Sequence, residues 1–133
     1  MIMEVSGSDL DLRLKAAYDN PVLEPVLGVA VSGNYAYVAQ RFYGMEVIDI
    51  SDPASPKSIG RCGTGGAASR VVLSGDFAFV AANTNGLRII DISHPANPRE
   101  VGGYVTSGGV EGVCVSDGYV YLVDRDGLDC VRQ

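Results

Sequence analysis

The chain has 133 residues, of which 47% are hydrophobic, and a formal net charge of −6. This length has room for one domain, residues 1–133, and the apolar fraction excludes a disordered polymer. The acidic balance argues against nucleic acid as a partner, because domains that bind it carry a basic face. No apolar run reaches the ~20 residues of a membrane span, so we expect no membrane partner. The N-terminus lacks the basic start and apolar core of a signal peptide, which predicts a cytoplasmic protein, although a fragment of a secreted protein would look the same.

The first predicted element is a strand within residues 10–18. Its residues Leu12–Tyr18 resemble Val101–Tyr104, which form the last strand of a repeated unit further along the chain. The segment Asp19–Gly28 is then the link into the first complete unit. Because a last strand stands here without the strands that should precede it, we expect residues 10–18 to supply the fourth strand of a divided sheet.

Three copies of one sequence unit follow this strand. Equivalent serines stand 42 residues apart, at Ser32, Ser74 and Ser116. The first unit (28–63) and the second (70–105) align without a gap from Val31 onward, and 14 of 30 positions are identical. The third unit (112–133) is partial and one residue shorter in one loop. Repetition at this period is typical of propellers and solenoids.

Each unit is composed of short strands rich in β-branched and aromatic residues, with turn residues between them. In the second unit the predicted strands are about Arg70–Leu73, Phe77–Ala82, Leu87–Ile92 and Glu100–Val105. The third strand is apolar on both faces, as in stacked sheets, and no window has helical periodicity. The pattern predicts an all-β propeller of four-stranded blades, with one, four, four and three strands in turn, or three blades' worth per chain.

The sequence of the repeat is also similar to that of a known family. It reads Tyr-Ala-Tyr-Val-Ala at 35–39, Phe-Ala-Phe-Val-Ala at 77–81, Gly-Leu-Arg-Ile-Ile-Asp-Ile-Ser-His-Pro at 86–95, and Val-Gly-Gly-Tyr at 101–104. These residues resemble the LVIVD-repeat β-propellers, and the resemblance covers about residues 28–133. It implies a propeller scaffold and supplies no catalytic residues.

Three sequence features imitate catalytic, metal or cofactor sites. His94, the only histidine, lies in a Ser-X-Pro turn with no Gly-x-Ser-x-Gly elsewhere in the chain. The stretch Asp124–Asp129 is faintly similar to a calcium loop but lacks the full run of oxygen ligands. The stretch Gly63–Ala68 imitates a dinucleotide fingerprint, but a strand rather than a helix follows it. We therefore expect no catalytic residues, no metal and no cofactor, and we interpret Asp49 and Asp91 as bonding to nearby backbone.

The three cysteines align with apolar strand positions of other units: Cys62 with Tyr104, Cys114 with Val72, and Cys130 with Ile89. We expect them to be buried free thiols that form no disulfide. Their odd number and the lack of a Cys-x-x-Cys motif fit a reducing compartment.

The loops between the second and third strands differ most from copy to copy, and in a propeller they share one rim with the links between blades. Variable loops on a rigid ring are where recognition usually occurs, and Arg and aromatic residues dominate binding energy. The candidate binding rim consists of Arg41, Phe42, Tyr43, Arg70, Asn83, Asn85, Glu111 and Arg125. We expect a non-enzymatic scaffold for protein or ligand binding. The alternative is part of a propeller enzyme or small-ligand site at the central channel.

The partial third unit bears on assembly, because propellers close with about four to eight blades. Three blades leave an open arc with two apolar end faces and an unpaired strand edge. A second copy would close a six-bladed homodimeric ring, in which residues 10–18 of each chain complete the last blade of the other. The rival interpretation is a piece of a larger single-chain propeller.

Overall fold

The computed structural model describes the backbone of residues 2–6, 11–16 and 24–132, and the side chains of residues 24–132. Within these ranges the chain forms thirteen strands and no helix. The strands are β1 (Ile2–Ser6), β2 (Asp11–Ala16), β3 (Gly28–Ser32), β4 (Tyr35–Ala39), β5 (Met45–Asp49), β6 (Lys57–Cys62), β7 (Arg70–Ser74), β8 (Phe77–Ala81), β9 (Leu87–Asp91), β10 (Arg99–Tyr104), β11 (Gly112–Ser116), β12 (Tyr119–Asp124) and β13 (Gly127–Arg132).

Each repeat unit forms one antiparallel sheet whose strands follow one another in chain order. The first sheet contains β3 to β6, the second β7 to β10, and the third β11 to β13. The four strands predicted for the second unit match β7 to β10 to within about a residue at each end. The prediction of an all-β architecture built from repeated antiparallel sheets is therefore confirmed.

The N-terminal region contains one strand more than predicted. The strand expected within residues 10–18 is β2, and it pairs with β1 in a separate two-stranded sheet. Residues 10, 17 and 18 of the predicted strand lie outside the described residues. The predicted total of twelve strands is thus wrong by one. A five-residue strand such as Ile2–Ser6 is too short to show a reliable period, and its hairpin partner becomes evident only from the fold.

Hairpin glycines mark the same place in each sheet, between its second and third strands. Gly44 and Gly86 have φ values of 98° and 75°, which glycine adopts without steric cost. A Cβ at Gly44 would collide with the Cys62 carbonyl oxygen, and one at Gly86 would collide with the Tyr104 carbonyl oxygen. Both carbonyls belong to the fourth strand of the same sheet, so these glycines let that strand approach the turn.

The core lies between successive sheets. For each sheet we call the side that faces the next repeat unit the leading face, and the side that faces the preceding unit the trailing face. The leading face of the first sheet packs on the trailing face of the second, with a buried cluster that includes Tyr37, Met45, Val47, Val80 and Ile90. The leading face of the second sheet packs on the trailing face of the third, with Phe79, Leu87, Val120 and Leu122. The stacked sheets form a β-propeller-like repeat structure.

Candidate interaction surfaces

The leading face of the third sheet has no neighbouring sheet among the described residues, and its apolar side chains are exposed. Leu128 occupies the repeat position of Met45 and Leu87, yet it is 66% exposed whereas they are 0% and 1% exposed. Val123 and Tyr119 are also exposed on the third sheet. The residue types that form the two internal junctions are therefore repeated on a face that no other described sheet covers.

The trailing face of the first sheet is the opposite end of the stack and is partly open. Val29 on β3 is 62% exposed, whereas its repeat equivalent Val71 on β7 is 5% exposed. Ala36, Val38 and Ile48, in the middle of the same face, are buried. Both ends of the stack thus present apolar residues whose equivalents are covered at the internal junctions.

The third sheet lacks the fourth strand that the other two sheets possess. Within the described part of the chain, β13 pairs with β12 alone. Gly127, the equivalent of Gly44 and Gly86, has no heavy atom within 4 Å of the position of a Cβ. Tyr104 and Val105, at the end of the neighbouring β10, are exposed. No described strand therefore occupies the place of a fourth strand in the third sheet.

The cysteines do not all lie where the alignment predicted. Cys62 is half-buried and burial raises the pKa of its thiol, but Cys114 and Cys130 are exposed. The alignment placed the last two correctly on strands β11 and β13, but their positions are on the uncovered leading face of the third sheet. The prediction of burial for Cys114 and Cys130 is thus wrong for the isolated chain. All three thiols are free.

The rim loop of the first unit contains Arg41, Phe42 and Tyr43, and Arg61, which sequence reasoning missed, lies beside it. The Arg41 guanidinium lies 5.1 Å from the centroid of the Phe42 ring, and that of Arg61 lies 4.0 Å from the centroid of the Tyr43 ring. Arg61 Nε also donates a hydrogen bond of 2.8 Å to the Tyr43 carbonyl oxygen. An Arg at the end of β6 could have been suspected only from the register that places it beside this loop.

The remaining rim residues have different local roles. Arg70 Nη1 donates hydrogen bonds to the carbonyl oxygens of Leu27 and Ser69. Asn85 Nδ2 donates to the Thr64 carbonyl oxygen, so this side chain fastens the rim loop to the link between the first two sheets.

Two further rim residues, Asn83 and Arg125, line one polar cleft together with Thr106 and Ser107. The cleft has a volume of about 300 Å³. The backbone of Asn83 forms a bridge with that of Val110. The Glu111 side chain is exposed nearby in sequence but does not line this cleft. The cleft therefore lies between the second and third rim loops, and no residue of the first rim loop lines it.

Turns on the opposite side of the sheets hold the two repeated aspartates. The Asp91 carboxylate accepts hydrogen bonds from the Ser93 hydroxyl at 2.7 Å and the Ser93 amide at 2.9 Å. These bonds hold the pKa of Asp91 below its usual value, and the bonds from Ser51 do the same for Asp49. The interpretation that these carboxylates bond to local backbone is confirmed.

His94 lies beside this turn, with Nδ1 3.2 Å from the Ser93 hydroxyl oxygen. The Ser93 hydroxyl donates directly to the Asp91 carboxylate, whereas in a catalytic triad the histidine stands between the serine and the acid. Among the described residues no group of three or more His, Cys, Asp or Glu side chains is arranged to hold a metal. The same residues include no helix long and apolar enough to cross a membrane.

Solved structures with the same architecture include two computationally designed proteins. The designed Ika8 protein matches with a TM-score of 0.61 and 14% identity over 79% of this chain, which spans 32% of that protein. The designed Ika4 protein matches with a TM-score of 0.57 and 9% identity over 90% of this chain and 98% of that one. At these identities the likeness concerns the fold alone. No curated protein sequence matches this chain significantly.

A family model for the LVIVD repeat matches three times, over residues 26–64, 65–106 and 107–131. The three matches follow the three sheets closely, with their boundaries in the links between sheets. They also agree with the residues on which the resemblance was based. The chain belongs to the LVIVD-repeat family.

Proposed function

We propose that this chain is a non-enzymatic propeller scaffold that closes into a six-bladed ring with a second copy of itself. The observation that carries the proposal is the equivalence of its end faces to its internal junctions. In the ring, the leading face of each third sheet packs on the trailing face of the other chain's first sheet. A two-fold axis generates two such junctions, so both ends of both chains are covered.

The apolar composition of the end faces supports this arrangement. Leu128, Val123 and Cys130 repeat the positions of Leu87, Ala81 and Ile89, which cover the third sheet at the internal junction. Each exposed Leu or Val side chain gains about 1.5–3 kcal/mol when it is fully buried. A ring buries these residues at two junctions, which offsets the cost of association.

The N-terminal hairpin supplies the missing strand in this proposal. Strand β2 pairs with β1 along one edge, and its other edge takes β13 of the second chain as a partner. The completed sheet then has β2 as its fourth strand and β1 as an additional outer strand. Pairing of this kind satisfies the backbone N–H and C=O groups along β13 that would otherwise form an open edge.

The mass of the protein in solution tests the proposal. We expect twice the chain mass of 13.9 kDa at micromolar concentration, and a monomer that is stable there would refute the ring. Deletion of residues 1–18 should abolish the dimer, whereas deletion of residues 1–7, which removes β1 but retains β2, should preserve it. An intact dimer after the longer deletion would disprove the strand exchange. Insoluble or polydisperse protein would favour a piece of a larger propeller.

A second candidate function is a small-ligand site in the cleft between the second and third rim loops. The observation in its favour is that Asn83, Thr106 and Arg125 converge there from two repeat units and the link between them. Screening small polar ligands by thermal shift distinguishes the two functions. A shift of several degrees that disappears in Arg125→Ala would support an enzyme or ligand-binding function over a scaffold without ligand.

A further inference from the structure

We propose that Arg41, Phe42, Tyr43 and Arg61, the arginine–aromatic cluster, form a docking surface for an acidic peptide segment. The cluster lies on the rim of the first sheet, where Arg41 pairs with Ala68 in the link to the second sheet. Arg61 is exposed on β6, the outer strand of the first sheet, where it is in register with Glu46 on the trailing side. The inference extends the proposed scaffold by naming a partner, but it does not depend on ring closure.

Arg61 is held in one orientation by two contacts. Its guanidinium lies over the Tyr43 ring at 4.0 Å, and its Nε donates to the Tyr43 carbonyl oxygen at 2.8 Å. These contacts use Nε and one flat face, and within residues 24–132 the terminal N–H groups of Arg61 have no hydrogen-bond or ion-pair partner. A guanidinium with free terminal N–H groups matches the two oxygens of a carboxylate. Because the side chain is already ordered, less entropy is lost on binding.

The loop that carries Arg41 and Phe42 is fixed by the link beside it. The amide and carbonyl of Arg41 both bond to Ala68 at 2.9 Å, and Arg41 has a φ of 47°. Phe42 is 61% exposed next to the Arg41 guanidinium. A rigid loop thus presents a cation and an apolar ring side by side, which suits an acidic segment that also contains an apolar residue.

The charges around the cluster leave its cations available. Among the described residues the ion pairs join Arg88 with Glu100 and Arg99 with Asp91, and neither Arg41 nor Arg61 takes part. The register partner of Arg61 is Glu46, but the Glu46 carboxylate is buried and Oε1 has no hydrogen-bond partner. Within residues 24–132 the exposed guanidinium groups of Arg41 and Arg61 form no ion pair, and this is the feature that favours a carboxylate-rich ligand.

The net charge of the chain distinguishes an acidic peptide from a nucleic acid. A charge of −6 repels a long polyanion, because the field of the protein extends about one Debye length, ~10 Å at moderate salt. A short segment with a few carboxylates can approach the cluster without crossing the rest of the surface. The second unit has Asn83, Thr84 and Asn85 at the loop positions and Gly103 in place of Arg61. The loop of the third unit, Asp124–Asp126, has an arginine but no aromatic residue, so neither unit repeats the cluster.

Binding of a fluorescein-labelled peptide of six glutamates and one phenylalanine, followed by fluorescence anisotropy at low salt, tests the proposal. We expect saturable binding by the wild-type protein that weakens as salt is added. Arg61→Ala and Arg41→Ala should each weaken it at least about tenfold, which is the loss of one charge-assisted hydrogen bond or more. Arg61→Lys should recover only part of the affinity, because an ammonium cannot bind both carboxylate oxygens in one plane.

The matched control is Arg99→Ala, which removes a cation from the opposite side of the sheets and should leave peptide binding unchanged. Circular dichroism of each variant confirms that it is folded. No saturable binding, equal weakening in Arg99→Ala, or tighter binding of a single-stranded oligonucleotide would each overturn the proposal. The mass of the same samples is measured in parallel, so that a monomer that binds the peptide refutes the ring alone, and a dimer that does not bind it refutes the docking surface alone.

Discussion

Replacement of Leu128 by alanine distinguishes two cases: an exposed side chain that contributes little to the stability of a single chain, and an interface side chain that stabilises a dimer. In the isolated chain this side chain is 66% exposed, and substitutions at such surface positions usually change the unfolding free energy by less than about 0.5 kcal/mol. In the proposed ring it occupies the place of Met45 and Leu87, which are fully buried at the internal junctions. The same substitution then removes buried apolar atoms from an interface.

The size of the expected effect follows from that comparison. Truncation of a buried Leu to Ala costs about 2–5 kcal/mol, and we take ~2 kcal/mol because one side of an interface can relax. The two-fold axis places Leu128 at two junctions of the ring, so the loss is about 4 kcal/mol per dimer. Since each 1.4 kcal/mol is about a tenfold change in the dissociation constant, we expect Leu128→Ala to weaken the dimer by roughly a thousandfold.

Sedimentation velocity over a range of protein concentrations measures this change. Phe42→Ala is the control, because Phe42 is about as exposed but lies on the rim, away from both end faces. We expect the control to dimerise like the wild type, while Leu128→Ala is a folded monomer at the same concentration. If Leu128→Ala keeps the wild-type dimer mass on dilution, the leading face of the third sheet is not the interface.

Three further predictions test the local chemistry. In the ring, Cys114 and Cys130 should react with a thiol reagent far more slowly than after dilution to monomer, whereas half-buried Cys62 should change little; labelling kinetics measure this. Gly86→Ala should lower the unfolding free energy by ~3 kcal/mol or more in urea titration, because it combines positive φ with a collision against backbone. The pKa of Asp91 is lowered in the folded protein, so its carboxylate stabilises the fold at pH values above the pKa of the unfolded chain, and this stabilisation is lost as the pH falls. Asp91→Asn should therefore make Tm less dependent on pH between roughly pH 5 and 2.

Specific outcomes would contradict these three predictions. Equal labelling rates of Cys114 before and after dilution would show that the thiols stay outside the interface. Gly33→Ala is the control for Gly86, because Gly33 also has positive φ but no atom within 4 Å of a Cβ; equal losses in the two variants would remove the role of the collision. An Asp91→Asn protein with the wild-type acid profile would show that the turn hydrogen bonds do not contribute to stability.

The sheets could be predicted from the sequence because their pairing is local. Within each of the three repeat sheets, every strand pairs with the strands next to it in the chain. The alternation of apolar and polar residues and the turn residues between strands are therefore enough to predict the pairing. The 42-residue period then fixed the equivalence of the units. The faces that meet at the internal junctions follow directly from that equivalence.

Features that depend on strand register, or on whether another sheet packs over a face, could not be predicted in the same way. The ladder between β5 and β6 shifts between Val47 and Ile48, and this irregularity sets which residues of β6 lie beside the first rim loop, including Arg61. The alternation of apolar and polar residues does not predict such a bulge. Likewise, Cys114 and Cys130 are on apolar strand positions, but a position is buried only where another sheet covers that face.

The repeat supplies a physical basis for the proposed contact between the two open ends of the chain. The leading and trailing faces of all three sheets derive from one sequence unit, so in the proposed ring Leu128 would meet a first sheet as Leu87 meets the third sheet. Complementary faces at opposite ends form a head-to-tail contact, which yields a ring if the rotation closes and a filament if it does not. In the proposed exchange each chain donates one β2 and receives one at its β13 edge, and this pairing is possible both in a closed pair and in a filament. A closed pair leaves no β2 and no β13 edge unpaired, whereas a filament leaves one of each at its ends, so we expect the closed pair to be favoured at low protein concentration.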